Sequence, residues 1–322
     1  MPAKMEQVFR HLLTCHCRAV PCDGRSVFIT DTACNFKNPQ RELAVRVVYK
    51  TDSGKERDHN EDNLVVDDNK DIFILADGMG GRQGGEVASK IAVDEAYSFL
   101  KTAINGNRNN KDIPHLLKSA LFKAHDAVKA MAAHNLNLTG MGTTLVLMTV
   151  RGNTAYICHA GDSRAYLIRE NIKQITRDQT LANYLIEHMK KRPEDIPSKA
   201  WHTLIQAVGV TENMSPELTE LELNTGDILL ICSDGLSDML NDGEIEELVQ
   251  KYKGRMFNSI ADALVEAANN KGGIDNITVV LIKYRGMEDT FWRTPFSVSE
   301  QKSVSDSAVD SCQMNSISRN NL

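Results

Sequence analysis

The chain has 322 residues, 42% hydrophobic and 25% charged, a globular balance with room for a large buried core without disulfides. A formal net charge of -6 argues against a nucleic-acid surface, and no apolar run approaches the length of a membrane span. Met1–Val20 is interrupted by His11, Cys15, His16, Cys17 and Arg18 and lacks the continuous apolar segment of a secretory signal, so a cytoplasmic location is expected.

Residues 1–42 show no clear period and are broken by Pro21, Gly24, Asn38 and Pro39, which marks an N-terminal extension outside the core. Cys15, Cys17, Cys22 and Cys34 crowd it without paired CxxC spacing, so they read as free thiols rather than a zinc site shared with His11 or His16. Ala44–Tyr49 reads as a strand, and Asp71–Ala76 as a buried strand running into a glycine-rich turn. Gly85–Leu100 predicts a helix with Val87, Ile91, Ala92, Ala96 and Phe99 on one stripe. Ile113–His134 predicts a second, buried along Leu117, Ala120, Leu121, Ala124, Val128 and Met131. Thr143–Arg151 and Thr154–His159 flank the hairpin signal Gly152–Asn153, and Arg164–Ile168 and Ile172–Ile175 flank another turn. Residues 177–209 are polar, carry Pro193 and Pro197, and read as an irregular lobe with a short helix over Leu181–Met189. Leu218–Leu223 and Asp227–Cys232 predict strands, Glu244–Tyr252 and Ser259–Asn270 helices, and Asn276–Tyr284 a closing strand. Cys158 and Cys232 lie inside apolar runs as small core residues. Past Gly286 the chain turns Ser-rich and aperiodic, so 287–322 is expected to be a disordered tail and 43–286 the folded domain. Hairpins dominate and strand–helix alternation is absent. An α+β layout of antiparallel sheets with helices outside them follows.

Acidic clusters recur where these runs break: Arg57-Asp58-His59-Asn60-Glu61-Asp62, Asp77-Gly78-Met79-Gly80-Gly81, Gly161-Asp162-Ser163-Arg164, Ser233-Asp234-Gly235-Leu236-Ser237-Asp238 and Asp275-Asn276. Asp77 and Asp234 each end an apolar run and precede a glycine, and Asp275 precedes the closing strand. Carboxylates brought together there would repel unless neutralised, and a pair of hard divalent cations does so. An all-oxygen donor set suits magnesium or manganese. Such a pair yields hydroxide from water near neutral pH, and the Arg57 guanidinium suits two phosphoryl oxygens, which together describe a phosphoester hydrolase. The bland alternative for a single Asp-Gly pair is a turn, the reading taken for Asp67-Asp68 and Asp242-Gly243.

These strings, with Gly140-Met141-Gly142-Thr143-Thr144, resemble in order and spacing the motif series of the metal-dependent type 2C protein serine/threonine phosphatases over roughly residues 44–285, in the bacterial form. The resemblance implies two packed antiparallel sheets flanked by helices, with residues 177–209 as a flap. It implies hydrolysis of phosphoserine and phosphothreonine in proteins by direct in-line displacement, with no phosphoenzyme. Asp77, Asp234 and Asp275 would hold one Mn²⁺ or Mg²⁺. Asp77, the Gly78 carbonyl and the pair Glu61/Asp62 would serve a second, partly through water. Asp162 and Asp238 would match a third, weaker position, and Arg57 would bind the substrate phosphate. The implied partners are phosphorylated proteins and a cognate serine/threonine kinase, and the protein itself is expected to be a monomer.

Two positions depart from the pattern. Met79 stands where some relatives carry a histidine that protonates the leaving oxygen, which leaves that step to water and His59 a spectator. Gln206 stands where relatives often carry an arginine. One rival reading is a pseudophosphatase that binds phosphorylated partners, but every proposed ligand is present. Another is a thiol phosphatase built on Cys158 and Arg164, which needs a helix after the arginine where the pattern shows a strand.

Overall fold

A computed structural model describes residues 44–80, 84–106 and 110–286. The expected extension, with its cysteines, and the expected tail lie outside these described residues.

The elements run β1 (Val45–Asp52), β2 (Asp62–Asp67), β3 (Ile72–Met79), α1 (Gly84–Gly106), α2 (Ile113–His134), β4 (Gly142–Thr143), β5 (Leu145–Arg151), β6 (Thr154–Ala160), β7 (Arg164–Ile168) and β8 (Ile172–Gln174). They continue with α3 (Leu181–Met189), α4 (Ser198–Trp201), β9 (Glu217–Glu222), β10 (Ile228–Cys232), α5 (Asp234–Ser237), α6 (Asp242–Tyr252), α7 (Ile260–Asn270) and β11 (Ile277–Tyr284). One sheet has the order β1-β11-β10-β7-β8; the other has β2-β3-β5-β6-β9, with β4 paired to β3. Every paired strand is antiparallel.

Alternation along the strands builds the layers. In β3, Ile72, Ile74 and Ala76 face the helix pair α1 and α2, while Phe73 and Leu75 turn inward to meet Ile231, Val280 and Ile282 of the other sheet. In β11, Val279 and Leu281 take the opposite side and pack against α6 and α7. The result is helix, sheet, sheet, helix, the α+β sandwich expected.

The structure corrects four details. The sequence reading omits β2, an edge strand whose apolar content is only Leu64, Val65 and Val66 between Asp62, Asn63 and Asp67. On α1 the buried face runs through Ala88, Ala92, Val93, Ala96 and Leu100, whereas Val87, Ile91 and Phe99 are only partly covered, because the small residues let the helix approach the sheet. Met131, placed on the buried stripe of α2, is 43% exposed, whereas the neighbouring Ala132 packs against the core. Asp242-Gly243 is not a turn. It opens α6, where the Asn241 side chain accepts from the Glu244 N–H and Glu244 accepts from the Asn241 N–H.

Candidate active site

The acidic motifs meet at one end of the sandwich because antiparallel pairing sends the relevant strand ends there. Asp62 at the start of β2 is the register partner of Asp77 near the end of β3. Cys232, which ends β10, pairs with Val279 near the start of β11, which sets Asp234 and Asp275 on the same rim. Asp162 sits in the turn from β6 to β7.

Hydroxyls and amides fix these segments. Ser233 Oγ donates to Asp62 Oδ2 at 2.8 Å and so ties the two sheets together at the rim. The Thr278 N–H donates to Ser233 Oγ at 2.9 Å. The Asp77 N–H donates to Thr144 Oγ1 at 3.0 Å, and Thr144 Oγ1 lies 2.7 Å from Ser163 Oγ. Asn276 secures the loop before β2: its Oδ1 accepts from the Glu61 N–H at 2.8 Å, and its Nδ2 donates to the carbonyls of Ser53 and His59 at 3.0 and 2.9 Å. Gly78 must be glycine, since a Cβ there would come within 2.1 Å of the Gly85 carbonyl oxygen. Gly161 has φ +109°, and its N–H donates to Gln179 Oε1 at 3.0 Å, while the Gln179 N–H donates to the Gly161 carbonyl at 3.0 Å. That reciprocal pair joins the turn bearing Asp162 to the base of the lobe.

The electrostatics are those of crowded carboxylates. Burial, reinforced by neighbouring aspartates, raises Asp62 to about 7, Asp162 to about 8 and Asp234 to about 6, and pushes Asp77 well above the usual carboxylate range. Burial also raises Glu61 and Asp238. The neighbouring charge of Asp234 adds to the rise of Asp77. Asp62 Oδ1 and Asp234 Oδ1 are buried without any hydrogen-bond partner. Arg57 Nη2 donates to Asp275 Oδ2 at 2.7 Å, and its side chain remains 52% exposed.

Among the described residues, no group of three or more His, Cys, Asp and Glu side chains already stands arranged to hold a metal ion. The donor set nevertheless fits hard cations: it is all carboxylate and carbonyl, its charge is unbalanced, and two of its buried oxygens are orphaned. Asp77, Asp162, Asp234 and Asp62 are thus gathered at one place, with Asp275, Arg57, Glu61 and Gly78 beside them and Asp238 one helical turn from Asp234. The sequence reading does not anticipate Ser233, Thr144, Ser163 or Asn276 as positioning groups, although all four lie inside the quoted motifs.

Two other expectations are settled here. Cys158 is fully buried in β6, burial pushes its thiol up to about 12, and Arg164 opens a strand, so no thiolate nucleophile forms there. The lobe is more ordered than expected: α3 and α4 enclose a small core of Ala182, Ile196 and Ala200 with Leu181, Leu185 and Ile186. At its end, Gln206 Oε1 accepts from the Ser215 N–H at 2.9 Å. Among the described residues, no helix is long and apolar enough to cross a membrane.

Comparison with known proteins agrees with this geometry. A family model described as protein phosphatase 2C matches residues 53–274. The chain is 35% identical over 245 residues to the serine/threonine phosphatase Stp of Listeria monocytogenes, covering 73% of this chain and 94% of that protein. The crystal structure of the Mycobacterium tuberculosis serine/threonine phosphatase PstP superposes with a TM-score of 0.66 at 33% identity, over 75% of this chain and 99% of that one. A structure of the PstP catalytic domain in complex with two manganese ions gives a TM-score of 0.64 at 33% identity, over 74% of this chain and 97% of that one.

Proposed function

Because the chain belongs to the protein phosphatase 2C family, as a serine/threonine phosphatase of the bacterial type, we propose that residues 43–286 hydrolyse phosphoserine and phosphothreonine esters in proteins with the help of two divalent cations. Manganese or magnesium suits the oxygen donors. Asp77, Asp234 and Asp275 would hold one ion; Asp77, the Gly78 carbonyl and Glu61, with Asp62 behind it through water, would hold the other. Asp162 and Asp238 would offer a third, weaker position. When bound, such ions neutralise phosphoryl charge and supply a nucleophilic water near neutral pH.

The chain's own groups do the rest. Ser233 holds Asp62 by its hydroxyl, which keeps one carboxylate oxygen turned and the other free. Asn276 holds the Glu61 backbone and the loop that carries Arg57. Arg57 spends one N–H on Asp275 and keeps the rest of its fork for the phosphoryl oxygens of the substrate. The hydroxyls of Ser233, Thr144 and Ser163 at the rim are engaged in hydrogen bonds within the protein, which supports direct attack by water without a phosphoenzyme. Met79 has no proton to give, so the leaving oxygen takes one from water. The substrate is a phosphoprotein, and the enzyme that makes such a substrate is a protein kinase.

The observation that carries this reading is the orphaned Asp234 Oδ1 inside a crowd of carboxylates, which needs a cation. The test is phosphate release from a panel of phosphoserine and phosphothreonine peptides. Release is expected with Mn²⁺, absent with EDTA, and absent in Asp77→Asn with Mn²⁺ restored. Turnover that persists in EDTA, or in Asp77→Asn, would reject it.

A further inference from the structure

A buried imidazole outside the acidic rim fastens the end of the lobe to α2. His125 is 5% exposed, and its Nδ1 accepts from the Gly209 N–H at 3.0 Å. A backbone amide can only donate, so Nδ1 carries no proton and the neutral ring keeps its proton on Nε2. The chain lies close on the helix here: Gly209 has φ +87°, and a Cβ on it would come within 2.3 Å of Val128 Cγ1, one turn along α2 from His125. A tight turn presents the Gly209 N–H to the ring. Within that turn the Ala207 N–H donates to Thr211 Oγ1 at 2.8 Å, and the Val210 and Thr211 N–H groups donate to the Ala207 carbonyl at 3.2 and 3.1 Å.

Two residues carry this anchor to the proposed metal ligands. Val208 and Thr143 exchange backbone bonds, at 2.8 Å from the Val208 N–H and 3.1 Å from the Thr143 N–H. Thr143 in β4 is the register partner of Gly78, and its Oγ1 donates to the Asp77 carbonyl at 2.7 Å. Beside it, a Cβ on Gly142 would come within 2.5 Å of Val210 Cγ2 and 2.9 Å of Met79 Cε. The lobe end therefore packs closely on the segment that follows Asp77, and its position bears on where the Asp77 carboxylate and the Gly78 carbonyl stand.

We propose that neutral His125 is a positioning residue, which anchors the lobe end through Gly209 and through Thr143 sets Asp77 and Gly78, and that protonation of its ring releases the anchor. This rests on the divalent-cation reading above. A protonated Nδ1 is a donor facing a donor, so the bond to Gly209 cannot survive the charge. Burial, the largest influence on the ring, holds it below its ordinary value of 6.5, so it is neutral at neutral pH and becomes charged only in acid. Among the described residues, the charged groups acting on it are both on α2: Asp126, which favours the protonated form, and Lys129, which opposes it. None acts on it from α1, β5, β6 or the lobe end. Catalysis should thus gain an acid limb that belongs to no carboxylate of the rim.

The test compares full-length wild type, His125→Asn and His125→Leu on one phosphopeptide, at saturating Mn²⁺, from about pH 8 down to about pH 5.5. Asparagine places Oδ1 where imidazole places Nδ1, each one bond beyond Cγ, and that oxygen accepts at any pH. At the alkaline end His125→Leu, which orphans the buried Gly209 N–H, should lose kcat by about tenfold with KM little changed, and His125→Asn should restore most of it. As pH falls, kcat of both variants relative to wild type should rise, since the wild type loses a bond that one variant keeps and the other never had. Acid limbs from the rim carboxylates cancel in these ratios. Independently, ¹⁵N spectra of the histidine rings, with His125 assigned by its loss in His125→Asn, should show Nδ1 bare and Nε2 protonated at neutral pH. Ratios that do not change with pH, full activity in His125→Leu, or a His125 ring protonated on Nδ1 at neutral pH each overturn the anchor alone. Absence of Mn²⁺-dependent turnover in the wild type overturns the phosphatase reading and with it the positioning role.

Discussion

The carboxyls of Asp77, Asp162 and Asp234 are raised above the ordinary range, because the surrounding protein strips their hydration and each faces other acids. Among the described residues, the one guanidinium bonded to a carboxylate of this candidate site is Arg57, on Asp275. A charge-assisted bond of this kind is worth about 1.5–3 kcal/mol. For Arg57→Ala we expect KM for phosphopeptides to rise about tenfold or more, with a much smaller fall in kcat and unchanged Mn²⁺ uptake. Steady-state kinetics on one phosphopeptide decides it, and an unchanged KM would remove Arg57 from the phosphate site. At this scale the acidic motifs are legible in the sequence because each is a short local string. Their partners are not: Ser233 and Asp62 are separated by 171 positions, and no local pattern announces that hydroxyl bridge.

Between elements, the connection that matters most is the one from β7 to the lobe. Arg164, at the start of β7, holds Asp178 through Nε at 3.0 Å to both carboxylate oxygens and Nη2 at 2.7 Å, with Gln174 Nε2 on Asp178 Oδ1 at 2.7 Å. Asn183 of α3 donates to the Asp178 carbonyl at 2.8 Å. The pair is largely shielded from solvent, so Arg164→Met leaves a buried carboxylate without its partner. That loss costs about 3–5 kcal/mol and lowers Tm by roughly 6–15 °C. Calorimetry checks it, and a Tm within a degree of wild type would show that the pair does not hold this connection. Elements with strong alternation or a long apolar stripe, such as β10 and α2, are readable in advance. β2 is not, because a polar edge strand buries too little to leave a pattern, and the turn-like Asp242-Gly243 is a capped helix start.

For the whole molecule, the four-layer sandwich concentrates negative charge at one end and accepts a cost in stability for it. Asp162 has a raised carboxyl, so the folded protein binds a proton that the unfolded chain releases above its ordinary value of 3.8. Its contribution is therefore most favourable in acid and is lost as pH rises from about 4 to about 8. His125 and His159, lowered by burial, act in the opposite sense across part of this range. The comparison must therefore be between Asp162→Asn and wild type, both in EDTA. The variant should gain in relative Tm as pH rises through that window, and a gap independent of pH would contradict the charge crowding. Added Mn²⁺ should stabilise the wild-type protein.

The central claim is that acids from β3, the turn after β10 and the segment before β11 share a two-ion centre. Anomalous diffraction at the manganese edge from crystals grown with Mn²⁺ tests it most directly. Two peaks roughly 3.5–4 Å apart, touched by Asp77, Asp234, Asp275, Glu61 and the Gly78 carbonyl, are expected. Density with no peak among those oxygens, or ions bound only elsewhere, would contradict the account.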